Sequence, residues 1–317
     1  MADFTPPNAP ALTEQPEAKS GPSNLRLRVI YAFIGAAMLL GSVWYSAWTF
    51  ALFFAAVQVK MLLEFYRMMR AGGYAPAKWI GVGAGLLLFS SAAYPFLSGP
   101  LVTTYGNLSK LITPPALGPA WMQVTWAWAF LFMLLPVVLL LREMVLWPRY
   151  DKPFPNAAVG LMGVFCVSLP MALLNVISMA DGRGYDYRRI FGLLFLVWAS
   201  DIGAYAAGKT FGKHKLAPSI SPGKTWEGWA GGFLLTLAVG WALSFMMPDV
   251  PLAHRLVAAG VVAIFGPLGD LAESMLKRSV GVKDSGTMMP GHGGLLDRFD
   301  AFLLVLPVLA LLQLLAG

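Results

Sequence analysis

Nine long apolar segments, separated by short polar stretches, run through this 317-residue chain from about residue 28 onward. Most of them approach the roughly 20 residues that an α-helix needs to cross the hydrocarbon core of a membrane. A helix satisfies its own backbone hydrogen bonds in lipid, so apolar segments of this length predict helices. We therefore predict an all-α integral membrane protein, a polytopic helical bundle with about nine transmembrane helices. The segments are Arg28–Val43, Ser46–Tyr66, Pro76–Leu97, Ala120–Leu141, Asn156–Met179, Arg189–Ala207, Trp226–Met247, Pro251–Leu276 and Phe299–Ala316.

Charged residues are too few for a soluble protein. They make up 12% of the chain, against about 25% in soluble globular domains. The formal net charge is +7, which in a soluble protein would suggest nucleic-acid binding. An uneven placement of basic residues on the two sides of a membrane accounts for it here, so we expect no nucleic-acid partner.

The basic residues also predict the orientation. With the N-terminus in the cytoplasm and every segment crossing, 17 lysines and arginines fall on the cytoplasmic side and five on the other, with Lys60 inside a segment. Cytoplasmic loops of membrane proteins carry such an excess. The loop Gly182–Arg189 fits least well, because it places three arginines outside. We predict a cytoplasmic N-terminus and two cytoplasmic polar loops, Gly208–Thr225 and Lys277–Arg298.

The chain divides into three parts by the placement of its polar residues. Residues 1–25 are rich in Pro, Ala, Glu and Ser and lack apolar periodicity, which is typical of a disordered tail, here cytoplasmic. Residues 26–198 are interpreted as N-terminal transmembrane helices with few intramembrane charges. The polar residues that need an explanation cluster after Ser200, so we expect residues 199–317 to be the C-terminal transmembrane helices that carry the catalytic site.

The stretch from Gly266 to Asp300 holds the densest set of chemically useful side chains. Four of them are spaced i, i+3, i+4 and i+7 and share one face of a helix: Asp270, Glu273, Ser274 and Lys277. Residues 291–294 are three glycines and a histidine, a loop whose backbone N–H groups can approach a phosphate closely. Carboxylates for a hard cation, lysines and a glycine loop together predict a site for a metal-bound polyphosphate.

For some of these residues, a structural role explains the sequence as well as a functional role does. Glu273 can form an i, i+4 ion pair with Lys277, and Asp300 can cap the last helix. His292 can contact phosphate or only pack in the turn. Asp270 and Asp297 have weaker local explanations, because a carboxylate at the end of an apolar helix is costly without a cation nearby.

Two polar groups lie upstream. Asp201 sits near the end of a spanning segment, where a carboxylate costs at least about 2.5 kcal/mol and so favours a functional role over capping of the adjoining loop. Ser221 and Lys224 precede a helix that starts near Trp226, and a helix N-terminus attracts anions. The alternative for this segment is a basic loop that contacts anionic lipid headgroups.

Residues 203–210, GAYAAGKT, match the G-x-x-x-x-G-K-[ST] pattern of a nucleotide-binding P-loop. That loop must follow a buried strand and open a helix, whereas here the pattern ends an apolar helix. We reject the P-loop interpretation on this context.

Taken together, the polar motifs resemble the signature of the phosphatidate cytidylyltransferases, also called CDP-diacylglycerol synthases. The detailed resemblance covers roughly Ala199–Phe302, and the multi-span architecture extends it loosely over the rest of the chain. Its motifs are Asp201-x-x-Ala204-Tyr205, Ser221-Pro-x-Lys224-Thr225-x-Glu227-Gly228, Ser274-x-x-Lys277-Arg278-x4-Lys283-Asp284, the sequence PGHGG that ends at Gly294, and Asp297-Arg298-x-Asp300.

The resemblance implies a reaction of CTP with phosphatidic acid that yields CDP-diacylglycerol and pyrophosphate and requires Mg²⁺, which a second cation can accompany. It implies Asp270, Lys277 and Asp297 as catalytic residues, with Asp270 and Asp297 binding the metal. The implied substrate-binding residues are Ser221, Lys224, Ser274, Arg278, Lys283, Asp284, Gly291, His292, Gly293, Gly294 and Arg298. Further candidates are Asp201, Glu273 and Asp300.

Two other functions stay open on the residues alone. A CTP-dependent lipid kinase would transfer the terminal phosphate to a lipid alcohol, and a cation transporter would use the acidic cluster as an ion site. Transporters often show matching halves, whereas the polar groups here gather at one end. Expected partners are CTP, phosphatidic acid and membrane lipids. Phospholipid synthesis implies a bacterial inner membrane with the site facing the cytoplasm, although an organelle membrane also fits. The sequence does not set the oligomeric state, and a homodimer is compatible with it.

Overall fold

A computed structural model describes residues 22–104, 120–179, 184–286 and 293–316. The described residues form nine long helices: α1 (Pro22–Tyr45), α2 (Ala47–Ala71), α3 (Lys78–Thr104), α4 (Ala120–Leu146), α5 (Pro153–Ile177), α6 (Tyr187–Phe211), α7 (Trp226–Ala242), α8 (Leu252–Ser279) and α9 (Asp300–Ala316). A π-helical turn, Val164–Ser168, lies within α5. Short 3-10 turns follow α7 at Leu243–Phe245 and precede α9 at Leu296–Arg298.

Within the described residues, six helices are long and apolar enough to cross a membrane, judged by length and composition. They lie in α2, α4, α5, α6, α7 and α8, and shorter apolar stretches lie in α1, α3 and α9. Each of the nine predicted segments coincides with one helix, so the prediction of an all-α polytopic membrane protein is confirmed. The number of crossings and the side of the N-terminus stay predictions. Residues 22–25, which we assigned to the tail, are helical, whereas residues 1–21 lie outside the described part.

The loop between α6 and α7 contains a two-stranded antiparallel hairpin that the sequence analysis did not predict. Strand β1 (Lys215–Ala217) pairs with strand β2 (Ser221–Thr225). Strands this short carry almost no periodic signal, so pattern analysis could not find them. Thr225 then caps α7, because its hydroxyl accepts a hydrogen bond from the N–H of Gly228 at 3.1 Å. The hairpin thereby holds Lys224 beside the start of α7.

Glu227, in the first turn of α7, forms hydrogen bonds with the start of the loop between α6 and α7. Its carboxylate accepts a hydrogen bond from the N–H of Lys213 at 3.1 Å and lies 2.6 Å from Nδ1 of His214. A negative charge in the first turn also suits the positive end of the helix dipole. These contacts anchor the end of α6 to the start of α7.

Pro267 shapes the packing of α7 on α8. Proline lacks an N–H, so the carbonyl of Ala263, four residues earlier in α8, loses its helical partner. The indole N–H of Trp229 in α7 donates to that carbonyl at 2.9 Å. Lipid offers no hydrogen-bond donor, so a carbonyl within the membrane needs a donor from the protein itself, and Trp229 provides it.

Helix α2 lies in the core and joins the two halves of the chain. Phe50, Phe54, Met61 and Leu62 are fully buried, and the ring of Phe54 meets the ring of Phe299 edge-on at 6.1 Å. Burial of large apolar side chains is the dominant favourable term in packing and holds α2 against the turn before α9. A residue of α2 can therefore reach the C-terminal polar stretch.

Candidate active site

The first polar group at the end of α8 joins Asp270 to Lys224 of the hairpin. Nζ of Lys224 lies 2.7 Å from Oδ2 of Asp270 and donates to the carbonyl of Pro267 at 3.2 Å. The hydroxyl of Ser274, one turn further along α8, donates to Oδ1 of Asp270 at 3.2 Å. The side chain of Asp270 is 42% exposed, so the carboxylate stays open to an incoming cation while these contacts fix its position.

The second polar group is centred on Lys277. Its Nζ lies 2.5 Å from Oε2 of Glu273 and 2.7 Å from Oδ1 of Asp297. The i, i+4 ion pair that we considered for Glu273 is therefore present. It does not use the whole carboxylate, because Oε1 of Glu273 is buried and has no hydrogen-bond partner among the described residues. An orphaned buried carboxylate oxygen is costly and fits a cation ligand.

Asp297 lies in the 3-10 turn before α9 and is held from several sides. Its Oδ2 accepts hydrogen bonds from the N–H of Gly294 (2.7 Å) and from the hydroxyl of Ser285 (2.9 Å). Burial by itself raises the pKa of Asp297, but its interactions with Glu273, Lys277 and Gly294 outweigh burial and hold that pKa well below its usual range. Asp297 is therefore ionised at neutral pH.

The glycines before Asp297 are required by the geometry of this turn. Gly293 has a φ of +78°, a region that side chains with a Cβ rarely adopt. A Cβ at Gly293 would also lie 2.6 Å from Oδ2 of Asp297. The N–H of Gly294 points at a carboxylate of the protein itself. Gly291 and His292 lie outside the described residues, so a phosphate-binding role of this loop stays a prediction.

Three carboxylates come together as a candidate metal site: Asp270 and Glu273 of α8 and Asp300, the first residue of α9. One oxygen from each lies within 4.8 Å of the others. Asp300 also accepts a hydrogen bond from the N–H of Ala301 at 2.7 Å, which is part of the capping role that we considered for it. Carboxylates repel each other at such distances unless a cation lies between them, and oxygen ligands suit Mg²⁺. The donor set therefore fits a hard divalent cation.

Asp201 of α6 faces the same region. Its carboxylate interacts electrostatically with Asp270, Lys224 and Arg298. Arg298 itself is exposed. The predicted candidates Asp201 and Arg298 thus join the group at the end of α8, although they lie almost 100 residues apart.

The remaining predicted substrate-binding residues in the described part of the chain do not contact the candidate metal site. Ser221 pairs with Ala217 in the hairpin and is half-buried. Arg278, Lys283 and Asp284 are exposed. Among the described residues, no hydrogen bond or ion pair joins these three to the carboxylates of α8, so their role stays a prediction.

The sequence analysis missed Glu64 and Ser285. Glu64 of α2 is fully buried and accepts a hydrogen bond from the N–H of Leu296 at 3.0 Å. The hydroxyl of Ser285 lies 3.5 Å from the same carboxylate, and Lys60 lies 3.7 Å from its other oxygen. An acidic residue inside an apolar span is a signal in its own right. It could have directed attention to α2, which we interpreted as a generic membrane helix.

The rejection of the P-loop is confirmed. Residues 203–210 lie inside α6, which continues to Phe211, and no strand precedes them in the described region between α5 and α6. Lys209 is exposed and lies 5.6 Å from the ring of Tyr205 rather than against the carboxylates.

Together, the fold and this site define a polytopic membrane protein that can hold a divalent cation beside fixed lysines at the ends of its helices. The chain belongs to the cytidylyltransferase family, since the family model described as "Cytidylyltransferase family" matches residues 26–315. That match includes every residue of the two polar groups.

Individual relatives carry a more specific name. The chain is 42% identical over 178 residues to the phosphatidate cytidylyltransferase of Bacillus subtilis (strain 168), a match that covers 56% of this chain and 65% of that protein. It is 44% identical over 160 residues to that of Staphylococcus haemolyticus (strain JCSC1435), covering 50% and 60%. It is 37% identical over 218 residues to that of Staphylococcus aureus (strain COL), covering 68% and 80%. The chain thus spans less than two thirds of the length of the first two relatives.

Proposed function

We propose that this protein transfers the cytidylyl group of CTP to phosphatidic acid, with release of pyrophosphate. The observation that carries the proposal is the convergence of Lys224, Lys277 and the three carboxylates of the candidate metal site at one end of the helices. The name of the relatives supports the choice of CTP and phosphatidic acid as substrates.

The reaction needs no strong base. A phosphate oxygen of phosphatidic acid, already anionic at neutral pH, forms a bond to the α-phosphorus of CTP. The bond from that phosphorus to the oxygen bridging the α- and β-phosphates breaks, and its electron pair leaves with pyrophosphate. Two anions must approach each other, so positioning and charge stabilisation carry the catalysis, as in phosphoryl transfer.

Lys224 and Lys277 supply fixed positive charge to phosphate oxygens. Each is held by a carboxylate at 2.7 Å, Lys224 by Asp270 and Lys277 by Asp297. A lysine that is already ordered loses little side-chain entropy when it binds a phosphate. In this proposal Asp297 positions Lys277, and Ser274 positions Asp270.

Asp270, Glu273 and Asp300 are the residues that would hold Mg²⁺. When bound, the metal supplies Lewis-acid neutralisation of the charge on the phosphates. The orphaned Oε1 of Glu273 and the mutual proximity of the three carboxylates support this set. Direct ligation by Asp297, which the resemblance implies, competes with the hydrogen bonds that its carboxylate accepts from Lys277, Ser285 and Gly294.

We place the site at the cytoplasmic face of a bacterial inner membrane. The excess of basic residues on the side of the C-terminal polar loops supports that orientation. CTP is a cytoplasmic nucleotide, and lipid phosphates lie at the depth where these helices end. A homodimer stays a prediction that the mass of the detergent-solubilised protein tests.

The deciding experiment uses purified protein in detergent with phosphatidic acid, Mg²⁺ and CTP labelled on the α- or the γ-phosphate. We expect the α-label to enter the lipid with release of pyrophosphate. Transfer of the γ-label to an added lipid alcohol would instead identify a lipid kinase. If a folded preparation transfers neither label, the proposal fails and cation transport through the acidic cluster becomes the function to test.

A further inference from the structure

A second polar region lies at the opposite end of the C-terminal helices, around a cavity of about 330 Å³. The cavity is lined by the start of α8, by α6 and α9, by the segment after α7 and by Ile177 at the end of α5. Arg255 at this end and Asp270 at the catalytic end are 15 residues apart on α8, or about 22 Å along a helix. Most of the wall is apolar, including Leu193, Leu196, Leu243, Ala258, Leu309 and Leu312. Such a cavity suits a ligand that has a hydrocarbon chain and a single polar group.

Arg255 supplies that polar group. It lines the cavity and is only 7% exposed. One guanidinium nitrogen, Nη1, donates to the carbonyl of Met247 at 2.8 Å, while Nε is buried without a partner among the described residues. A buried guanidinium that lacks an anion is costly. Arg189 and Asp249 also line the cavity; the carboxylate of Asp249 is paired with Arg188 at 3.0 Å and interacts electrostatically with Arg189.

The start of α8 adds a second attraction for an anion. Pro251 precedes the helix and provides no side-chain cap, and the first turn contains no acidic residue. The opening residues instead include His254 and Arg255, and both line the cavity. Basic residues at the positive end of a helix dipole are unfavourable on their own. An anion at this place would compensate both the dipole and the guanidinium.

We propose that this cavity binds an anionic phospholipid, with the lipid phosphate on Arg255 and the start of α8 and an acyl chain along the apolar wall. The bound lipid is structural and separate from the substrate, since it lies at the end of the bundle remote from Asp270 and Lys277. A free phosphate would pair with the Arg255 guanidinium but leave the apolar wall without a partner. The combination of unpaired donor and apolar wall therefore favours a lipid.

The test measures the thermal unfolding midpoint of the delipidated protein in an uncharged detergent. Three additives are compared: phosphatidylglycerol, diacylglycerol with the same acyl chains, and inorganic phosphate. A ligand that binds only the folded state raises the midpoint. We expect a rise with phosphatidylglycerol and little change with the other two. An equal rise with diacylglycerol, an equal rise with phosphate, or no rise with phosphatidylglycerol overturns the proposal.

Variants localise the effect. Arg255→Gln removes the guanidinium, and His254→Glu places a carboxylate at an exposed position at the start of α8. We expect each to lose most of the rise produced by phosphatidylglycerol, whereas Lys209→Gln, a matched loss of charge at the other end of α6, keeps it. If Arg255→Gln does not fold, His254→Glu decides. A rise that persists in every folded cavity variant places the lipid elsewhere and overturns the proposal.

Discussion

Lys277 and Asp297 are joined by an ion pair of 2.7 Å between Nζ and Oδ1, although 20 residues separate them in the chain. The pair connects the end of α8 to the turn before α9. Glu273 contacts the same ammonium group at 2.5 Å. A lysine paired with two carboxylates has a fixed position, which is the property that electrostatic catalysis requires.

Asp297→Asn should abolish turnover and leave membrane insertion intact. The amide carries no charge for Lys277, and its single oxygen cannot accept the hydrogen bonds from Lys277, Ser285 and Gly294 together. We expect the rate of CDP-diacylglycerol formation to fall by about 10²-fold or more, the scale seen when one catalytic electrostatic contact is removed. Asp151→Asn, an exposed change between α4 and α5, is the control. Substantial activity in the Asp297 variant would remove this residue from the site.

Lys224→Ala should lose far more activity than Lys209→Ala. Lys224 contacts Asp270 at 2.7 Å, whereas Lys209 is exposed at the end of α6. The change in side chain is the same in the two variants, so the comparison isolates position. Initial rates at saturating CTP and phosphatidic acid measure it, and the reverse order would contradict the placement of Lys224 in the site.

Mg²⁺ dependence tests the proposal that Asp270 and Asp300 bind the metal whereas Asp297 positions Lys277. Chelation of divalent cations should stop the reaction, and added Mg²⁺ should restore it. Asp270→Asn and Asp300→Asn should raise the Mg²⁺ concentration that gives half-maximal rate, because each removes a carboxylate ligand. Asp297→Asn should lower the rate at all Mg²⁺ concentrations. A shift in half-saturation for Asp297→Asn alone would assign the metal to Asp297 instead.

Glu64→Ala should destabilise the protein and lower its activity, although Glu64 lies 232 residues from its partner Leu296 in the sequence. The change leaves the N–H of Leu296 buried without an acceptor, at a cost of about 1–3 kcal/mol. Glu64→Gln keeps a carbonyl acceptor and should lose less stability. Thermal unfolding in detergent and the rate at saturating substrate measure the two effects. Equal stability of the wild type and Glu64→Ala would contradict a structural link through this residue.

The lowered pKa of Asp297 predicts how stability depends on pH. A carboxylate whose folded pKa lies below its unfolded value stabilises the fold above the unfolded value, about 3.9 for aspartate, and this contribution is lost as pH falls through the folded pKa. The stability difference between wild type and Asp297→Asn should therefore stay constant between about pH 5 and 8 and shrink only in acid. Unfolding midpoints measured from neutral pH down into acid check it. A difference that does not shrink in acid at all would show that the pKa of Asp297 is not lowered.

Local features of the sequence were enough to predict the helices and part of the site. The contacts of Asp270 with Ser274 and of Glu273 with Lys277 follow from the spacing of four residues on one helix. The hairpin that carries Lys224 was not predicted, because two short strands in a polar loop leave no periodic pattern. Gly293 was predicted to bind a phosphate. Its conformation is also required by the turn that positions Asp297.

The sequence by itself determined the class of fold, because a long apolar segment in lipid can satisfy its backbone only as a helix. Tertiary structure decided which helices meet at the site. The hydrogen bond from Leu296 to Glu64 spans 232 residues, and the ion pair of Lys224 with Asp270 joins a hairpin to a helix. Such contacts depend on how buried side chains pack between helices, and packing is not encoded in the periodicity of any one segment.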